Sequence, residues 1–257
     1  MRPELFESLK RIGWVTLVFT FLFLLVSALE RKEESTVAGV EIEIEPLPGG
    51  YRLLTPGDVH QLLQRSFGFD LERQPLSRVD LRRVERVLEY DPFVRDAEVH
   101  LDALNYLHLD IVQRRPVVRI LDEMGLNYYL DEEGQKMPLS PHFTARVLVA
   151  TGQIPPYTPE FLQKEKHLLK DLFRLVEFIR QDEFLSALIE QVDVRRGECT
   201  LIPKVGDQKI LLGRPENLED KFRRLKIFYE QGIPYEGWQK YKTINLKYRG
   251  QVVCEKR

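Results

Sequence analysis

One uncharged stretch near the N-terminus limits what this chain can fold into. Residues 12–29 contain no charged side chain. As a helix they would be about 27 Å long, close to the ~30 Å hydrocarbon core of a bilayer. Arg2, Lys10 and Arg11 precede the stretch, so the positive-inside rule keeps residues 1–11 in the cytoplasm and sends the rest of the chain outside. The stretch therefore predicts a single transmembrane helix that anchors an exported body.

Two other structures could explain this stretch. The first is a buried core helix, but such a helix rarely runs so far without a charge. The second is a cleaved signal peptide, because Val26-Ser27-Ala28 resembles a small-residue cleavage site. Against this, the apolar part of a signal peptide is usually only about 7–15 residues long. A mature protein that begins at Leu29 would identify the signal peptide.

Charge and cysteine usage exclude several function classes. The 257 residues include 38 basic and 40 acidic side chains, and the net charge of -2 gives no overall field that would attract nucleic acid. Cys199 and Cys254 lack the spacing of a zinc or thiol-redox motif. We favour free thiols over a disulfide bond, although the sequence leaves both open. The chain after the N-terminal stretch is long enough for two domains of about 100–150 residues.

After a polar linker at residues 30–36, hydrophobic periodicity predicts the order β-α-α-β-β. The second helix should bury Val84 and Leu88 and expose Arg83. The predicted elements are a strand at 37–44, a helix that Thr55 caps and that ends near Gly68, a helix from near Ser77 to Asp91, and strands at 94–101 and 106–114.

From residue 115 onward, short strands and two longer helices predict a mostly antiparallel sheet with helices on one side, so the fold class of the body is α+β. The longest helix should begin at Thr158-Pro159-Glu160, where a capping residue precedes proline. A second helix is predicted at 216–230. The predicted strands are 116–121, 127–131, 146–151, 189–194, 198–202 and 209–212, followed by a hairpin of 242–248 and 251–255 around a tight Arg249-Gly250 turn.

The sequence lacks the motifs that catalysis would need. Its five histidines show no HExxH spacing, and no GxSxG, SxxK, GxxxxGK or GxGxxG motif is present. Asp131, Glu132 and Glu133 could be an acid/base pair that cleaves glycans, but a hairpin turn with acids facing solvent explains them better. The basic run at 221–226 fits the solvated face of an amphipathic helix. The sequence therefore predicts no catalytic residue, no metal and no cofactor.

The C-terminal hairpin could offer a surface to a partner. A hairpin at the end of a chain often lies at a sheet edge, where unpaired main-chain groups can accept a strand from another protein. Ile244, Leu246 and Tyr248 are predicted to face one way, with Lys247 on the other side. The alternative is a plain closing hairpin with no partner.

Four segments carry a resemblance to a known family. They are residues 88–99 (LEYDPFVRDAEV), 114–120 (RRPVVRI), 128–139 (YYLDEEG followed by MPL) and 244–248 (INLKY). In this order and spacing they resemble the FtsQ/DivIB family of bacterial cell-division proteins. The last segment is similar to the family's terminal I-D-L-R-Y strand, with Asn245 and Lys247 in place of Asp and Arg.

The resemblance implies a POTRA domain at 37–115 and a β domain at 116–257. It implies a non-enzymatic scaffold in the inner membrane at the division septum, with a periplasmic body. Such a scaffold links early and late division proteins and helps to control septal peptidoglycan synthesis. Its partners would be coiled-coil proteins like FtsB and FtsL, with the FtsB-like protein adding a strand at the last β edge. The partner-binding residues implied by the resemblance are Arg196, Lys247, Tyr248, Arg249, Gly250, Gln251, Val252 and Val253.

Two alternative functions belong to other classes. Another POTRA-bearing accessory of envelope transport or assembly would usually carry several POTRA modules or a long barrel, and this sequence has neither. An envelope glycan hydrolase would need a cleft with paired acids.

Overall fold

The computed structural model describes Trp14 and residues 16–23, 35–237 and 240–257. Trp14 and residues 16–23 are helical and exposed, while the rest of the predicted span at 12–29 lies outside the described residues, as do the predicted tail at 1–11 and most of the linker at 30–36. Among the described residues, no helix has both the length and the apolar character that a membrane crossing requires. The chain divides into two compact units, Met1–Gln113 and Arg114–Arg257.

The first unit has the β-α-α-β-β order that periodicity predicts. Its strands form a sheet in the order β1-β3-β2, with β1 parallel and β2 antiparallel to β3. The side chains of both helices join one face of this sheet in a single hydrophobic core. The elements are β1 (Gly39–Ile44), α1 (Pro56–Phe67), α2 (Leu81–Glu89), β2 (Val94–Leu101) and β3 (Tyr106–Gln113).

The predicted start and end of α1 are confirmed. The Asp58 N–H donates to Thr55 Oγ1 (3.3 Å), and the Asp58 carboxylate accepts the Thr55 N–H (2.7 Å). This reciprocal capping box satisfies donors that a helix N-terminus leaves unpaired. Pro56 occupies the first turn, and Gly68 ends the helix with a positive φ of 75°, which glycine adopts without strain.

The second helix begins later than predicted. A 3-10 turn (Leu76–Arg78) precedes it, and Asp80 caps α2 by accepting the Arg83 N–H at 3.2 Å. Val84 and Leu88 are fully buried, as predicted. The Arg83 guanidinium lies 4.7 Å from the centre of the Phe67 ring, so this side chain has a cation–π contact in addition to its exposure to solvent.

The second unit contains a nine-stranded sheet in the order β12-β11-β10-β9-β8-β7-β4-β5-β6. Its buried side chains and those of its helices form one hydrophobic core. The strands are β4 (Pro116–Asp122), β5 (Asn127–Asp131), β6 (Lys136–Met137), β7 (Leu148–Gly152), β8 (Ile189–Arg195), β9 (Glu198–Pro203), β10 (Lys209–Gly213), β11 (Tyr241–Asn245) and β12 (Val253–Lys256). The helices are α3 (Leu168–Gln181), α4 (Glu183–Leu188), α5 (Leu218–Ile227) and α6 (Ile233–Glu236).

This sheet is less antiparallel than the sequence suggests. Of the eight strand pairs in its described part, five are antiparallel and three are parallel. The parallel pairs are β4–β7, β7–β8 and β10–β11. Each of them needs a crossover connection. Helices α3 and α4 form the connection between β7 and β8, and α5 and α6 form the connection between β10 and β11. Alternation of side chains along a strand does not reveal the direction of its neighbour.

The two longer helices of this unit differ from their predicted bounds. The longest helix, α3, begins at Leu168 instead of Thr158, because the intervening residues form turns in which the Phe161 N–H donates to Thr158 O at 3.0 Å. Phe161 is nevertheless fully buried, so its position in the apolar pattern reflects the core and not a helix. The helix predicted at 216–230 does not end there: beyond α5, a π-helical turn (Phe228–Gly232) leads directly into α6.

Candidate partner-binding site

The edge of the nine-stranded sheet is formed by β12. This strand pairs antiparallel with β11, with Val253 opposite Asn245 and Cys254 opposite Ile244. Within the part of the chain that the structure describes, no strand covers the other side of β12. An edge strand presents unpaired N–H and C=O groups that another chain can pair with.

The alternation of main-chain groups shows which part of β12 faces outward. The Arg257 N–H donates to Lys240 O at 3.1 Å, towards β11. Successive residues of an antiparallel strand point their N–H and C=O groups to opposite sides. The main-chain groups of Cys254 and Lys256 therefore face the open edge.

Most of the predicted partner-binding run lies in a loop next to this strand. Of the run 247–253, only Val253 belongs to β12, because strand pairing stops where Asn245 meets Val253. A turn is present at Arg249-Gly250 as predicted, but the strands do not reach it, and residues 246–252 form a longer loop than the predicted hairpin has. Leu246 is fully buried, whereas Tyr248 is 55% exposed. The two side chains therefore do not lie on one buried face.

The loop is held by an arginine that the sequence interpretation assigned to solvent. The Arg224 guanidinium donates to Tyr248 O (2.9 Å), to Leu246 O (3.3 Å) and to Gln251 O. Its side chain is only 10% exposed and also pairs with Asp220 at 2.9 Å. Hydrogen bonds from Arg223 and Arg224 lower the pKa of Asp220. Loop carbonyls that strand pairing leaves unpaired need donors, and Arg224 supplies them here.

Lys221, in the same basic run at 221–226, holds the end of strand β10. Lys221 Nζ donates to Leu212 O (2.9 Å) and to Arg214 O (2.7 Å) at the end of β10. Burial lowers the pKa of Lys221. The prediction of a solvated face is therefore wrong for Lys221 and Arg224, while Arg223 is 71% exposed as expected. Long basic side chains cover strand ends beside the helix, and helical periodicity alone does not show this.

The structure brings two parts of the predicted site to one end of the sheet. Lys247 Nζ pairs with Glu198 Oε2 at 2.9 Å, and this hydrogen bond lowers the pKa of Glu198. Arg196 lies two residues before Glu198 in the β8–β9 turn, where its φ is 51°. The Arg196 N–H donates to Gln153 Oε1 at 2.8 Å, and the residue is exposed.

A groove that the sequence interpretation missed lies beside the loop. Its volume is about 350 Å³, which is within the range of ligand-sized clefts. Ile227 on this groove is 45% exposed although it is apolar. The lining residues are Arg224, Ile227, Phe228, Gln231, Gly232, Gly250 and Val252.

Two of the three acids considered for glycan cleavage, Asp131 and Glu132, form ion pairs with arginines. Asp131 is fully buried, pairs with Arg114 at 2.9 Å and accepts the N–H groups of Glu133 and Gln135. Glu132 pairs with Arg180 at 2.8 Å. The expectation that Asp131 faces solvent is therefore wrong, because its carboxylate organises the β5–β6 turn from inside.

Neither cysteine forms a disulfide bond. Cys199 is buried, and burial raises the pKa of its thiol to about 12. Cys254 lies half-buried on β12, and burial also raises its pKa. Among the described residues, no group of three or more histidine, cysteine or acidic side chains is arranged to hold a metal ion.

Comparison with known proteins places both units in a wider context. A family model described as "FtsQ/DivIB, C-terminal related" matches residues 115–255, more than half of the chain. The chain is also similar to "Cell division protein FtsQ" of Rhodothermus marinus, with 28% identity over 215 residues. That match covers 79% of this chain and 74% of the relative.

Proposed function

The chain belongs to the FtsQ/DivIB family of cell-division proteins, and from this membership we propose that it is a non-enzymatic scaffold of the division septum. It links early and late division proteins and helps to control septal peptidoglycan synthesis. Residues 12–29 anchor it in the inner membrane as a single-pass protein, with residues 1–11 in the cytoplasm. The periplasmic body consists of a POTRA domain at 37–115 and a β domain at 116–257.

The proposed partners are coiled-coil division proteins like FtsB and FtsL, of which the FtsB-like protein adds a strand to β12. The observation that carries this proposal is the open edge at β12, where Cys254 and Lys256 direct main-chain groups outward. Strand addition draws its affinity from such groups.

The loop beside β12 supports the same partner site. Arg224 fixes the loop carbonyls, while Tyr248 is left exposed next to the edge. Surfaces ordered before binding lose less conformational entropy when the partner arrives. Exposed tyrosines surrounded by ordered structure are frequent contributors to binding energy.

Strand addition can be tested with variants of one edge residue. Lys256→Pro removes an N–H that faces the open edge and leaves the β11–β12 bonds intact, whereas Lys256→Thr removes the same charge but keeps the donor. Binding of the purified chain to an FtsB–FtsL-like complex should weaken at least about tenfold for Lys256→Pro and much less for Lys256→Thr. Thermal melting must first show that both variants fold.

Side-chain contacts need a separate variant. Tyr248→Ala should weaken binding of the same complex with little change in melting temperature, because the side chain is largely exposed. If folded Lys256→Pro and Tyr248→Ala both bind like the parent, β12 is not the docking edge.

The membrane anchor has its own test. A reporter that is active only outside the cytoplasm, fused after Arg257, should be active, and the protein should keep its full mass in membranes. A mature form starting at Leu29 would replace the anchor with a signal peptide.

A further inference from the structure

A second open strand edge lies in the first unit, at β1. The Glu45 N–H donates to Ile111 O (2.9 Å) towards β3, whereas Ile44 O accepts Arg52 Nε (3.1 Å) on the opposite side. Main-chain groups alternate in direction along a strand, so those of Val40 and Ile42 face away from β3. Within the described residues, neither makes a hydrogen bond outside the β1–β3 pairing.

The other edge of the same sheet is less open. On β2, the Val99 N–H donates to Glu85 Oε1 of α2 at 3.2 Å. A helix side chain thus occupies a donor within β2, whereas Arg52 occupies only the C=O of Ile44, the last residue of β1. The groups of Val40 and Ile42 remain free of such contacts in the described part of the chain, and β1 is the edge better able to accept a strand.

Acidic side chains and two histidines lie on the exposed face beside β1. Two rows of residues cross the three strands in direct register. The first row is Glu41, His108 and His100, and the second row is Glu43, Asp110 and Glu98. Like charges at directly opposed positions destabilise a sheet. His100 lies 3.5 Å from Asp110 and His108 lies 3.4 Å from Glu41, but no lysine or arginine in the described part of the chain pairs with the second row. A partner's basic side chains would relieve this repulsion.

Three exposed arginines of the unit lie on the other side of the sheet. Arg82, Arg83 and Arg86 are exposed on α2, and α2 packs against the face of the sheet opposite the two acidic rows. These three arginines and the acidic rows therefore lie on opposite sides of the sheet, while Arg52 lies beside β1, and a basic partner would be steered towards the acidic face.

A groove joins the acidic face to the open edge. Its volume is about 480 Å³, comparable to clefts that hold small ligands or short peptide segments. Glu43 and Asp110 line it from the face, and Pro46, Arg52 and Pro56 line it beyond β1. An extended chain lying along β1 would occupy this groove.

We propose that β1 is a docking edge for an extended segment of a partner protein that carries lysine or arginine at alternate positions. The main chain of the segment pairs with Val40 and Ile42. Its basic side chains lie next to Glu41 and Glu43, because alternate residues of an added strand share one face. This edge is separate from β12, so the proposal does not depend on the partner proposed there.

Fluorescence anisotropy of the full-length chain with two labelled peptides tests the proposal. One peptide alternates lysine with valine, and the other has the same composition with its lysines contiguous. The alternating peptide should bind roughly fivefold or more tightly, because only it places every lysine beside an acid of β1. Equal affinities would mean a diffuse charge attraction and would overturn strand addition.

Paired charge reversals locate the binding site. Glu41→Lys/Glu43→Lys should abolish the preference for the alternating peptide. Glu89→Lys changes the same charge at an exposed position on α2 and should keep the preference, whereas Glu43→Lys alone should weaken it. Thermal melting checks folding, and Glu43→Gln, which adds no positive charge, replaces the double variant if that variant is unfolded. A preference that survives the β1 substitutions would rule out β1 as the site.

Discussion

Asp131 lies in an environment that its sequence context of consecutive acids does not suggest. Its buried carboxylate pairs with Arg114 and accepts two N–H groups of the β5–β6 turn. Asp131→Ala leaves Arg114 without its partner, and we expect the free energy of unfolding to fall by about 3–5 kcal/mol. Denaturant unfolding measures this loss. Glu133→Ala, at an exposed position of the same turn, should change stability by less than about 0.5 kcal/mol.

The two thiols should differ in reactivity for a physical reason. Thiolate is the reactive form, and burial raises the pKa of Cys199 to about 12. Cys254 is less buried, so iodoacetamide at pH 8 should modify Cys254 first, as peptide mass spectrometry can show. Equal rates in the folded protein would contradict the burial of Cys199. Denaturation should make the two rates similar.

Helix α5 acts as a clamp on the C-terminal loop through Arg224. One planar guanidinium reaches three loop carbonyls, a geometry that a lysine ammonium does not reproduce. Arg224→Lys should therefore speed amide hydrogen exchange in residues 246–252 and lower stability by about 1–3 kcal/mol.

The matched control for the clamp is its exposed neighbour. Arg223 pairs with Asp220 at the surface, and Arg223→Lys should leave both loop exchange and stability nearly unchanged. Loop exchange that responds equally to both substitutions would mean that Arg224 does not hold the loop.

Elements governed by local chemistry could be predicted from the sequence, and those governed by distant contacts could not. The Thr55 cap and the burial of Leu88 follow from spacing within a few residues. The parallel pairing of β10 with β11 depends on a crossover through α5 and α6. For the same reason the sequence pointed to the C-terminal edge but missed Arg224, whose loop contacts lie more than 20 positions away.

At the scale of the whole molecule, residues 35–237 and 240–257 contain two hydrophobic cores that share no buried residue. A substitution that destabilises one core should therefore shift one unfolding transition and leave the other unchanged. Leu88→Ala should lower the free energy of unfolding of the first unit by about 2–5 kcal/mol, and Leu175→Ala should do the same in the second unit. Calorimetry of the full chain should show each substitution shifting a different transition. A common shift of both would mean that the units unfold together.

The position of β7 in the sheet has a consequence for the time course of folding. On one side of β7, β4, β5 and β6 join through short antiparallel connections, and on the other, β8, β9 and β10 do the same. Within the described part of the sheet, the two groups are joined through the five-residue strand β7, which pairs in parallel with β4 on one side and with β8 on the other. Contacts between distant parts of a chain form slowly, because loop closure must precede them. We therefore expect the two local meanders to form early, and the docking of β7 between them to limit the rate at which the second unit becomes complete.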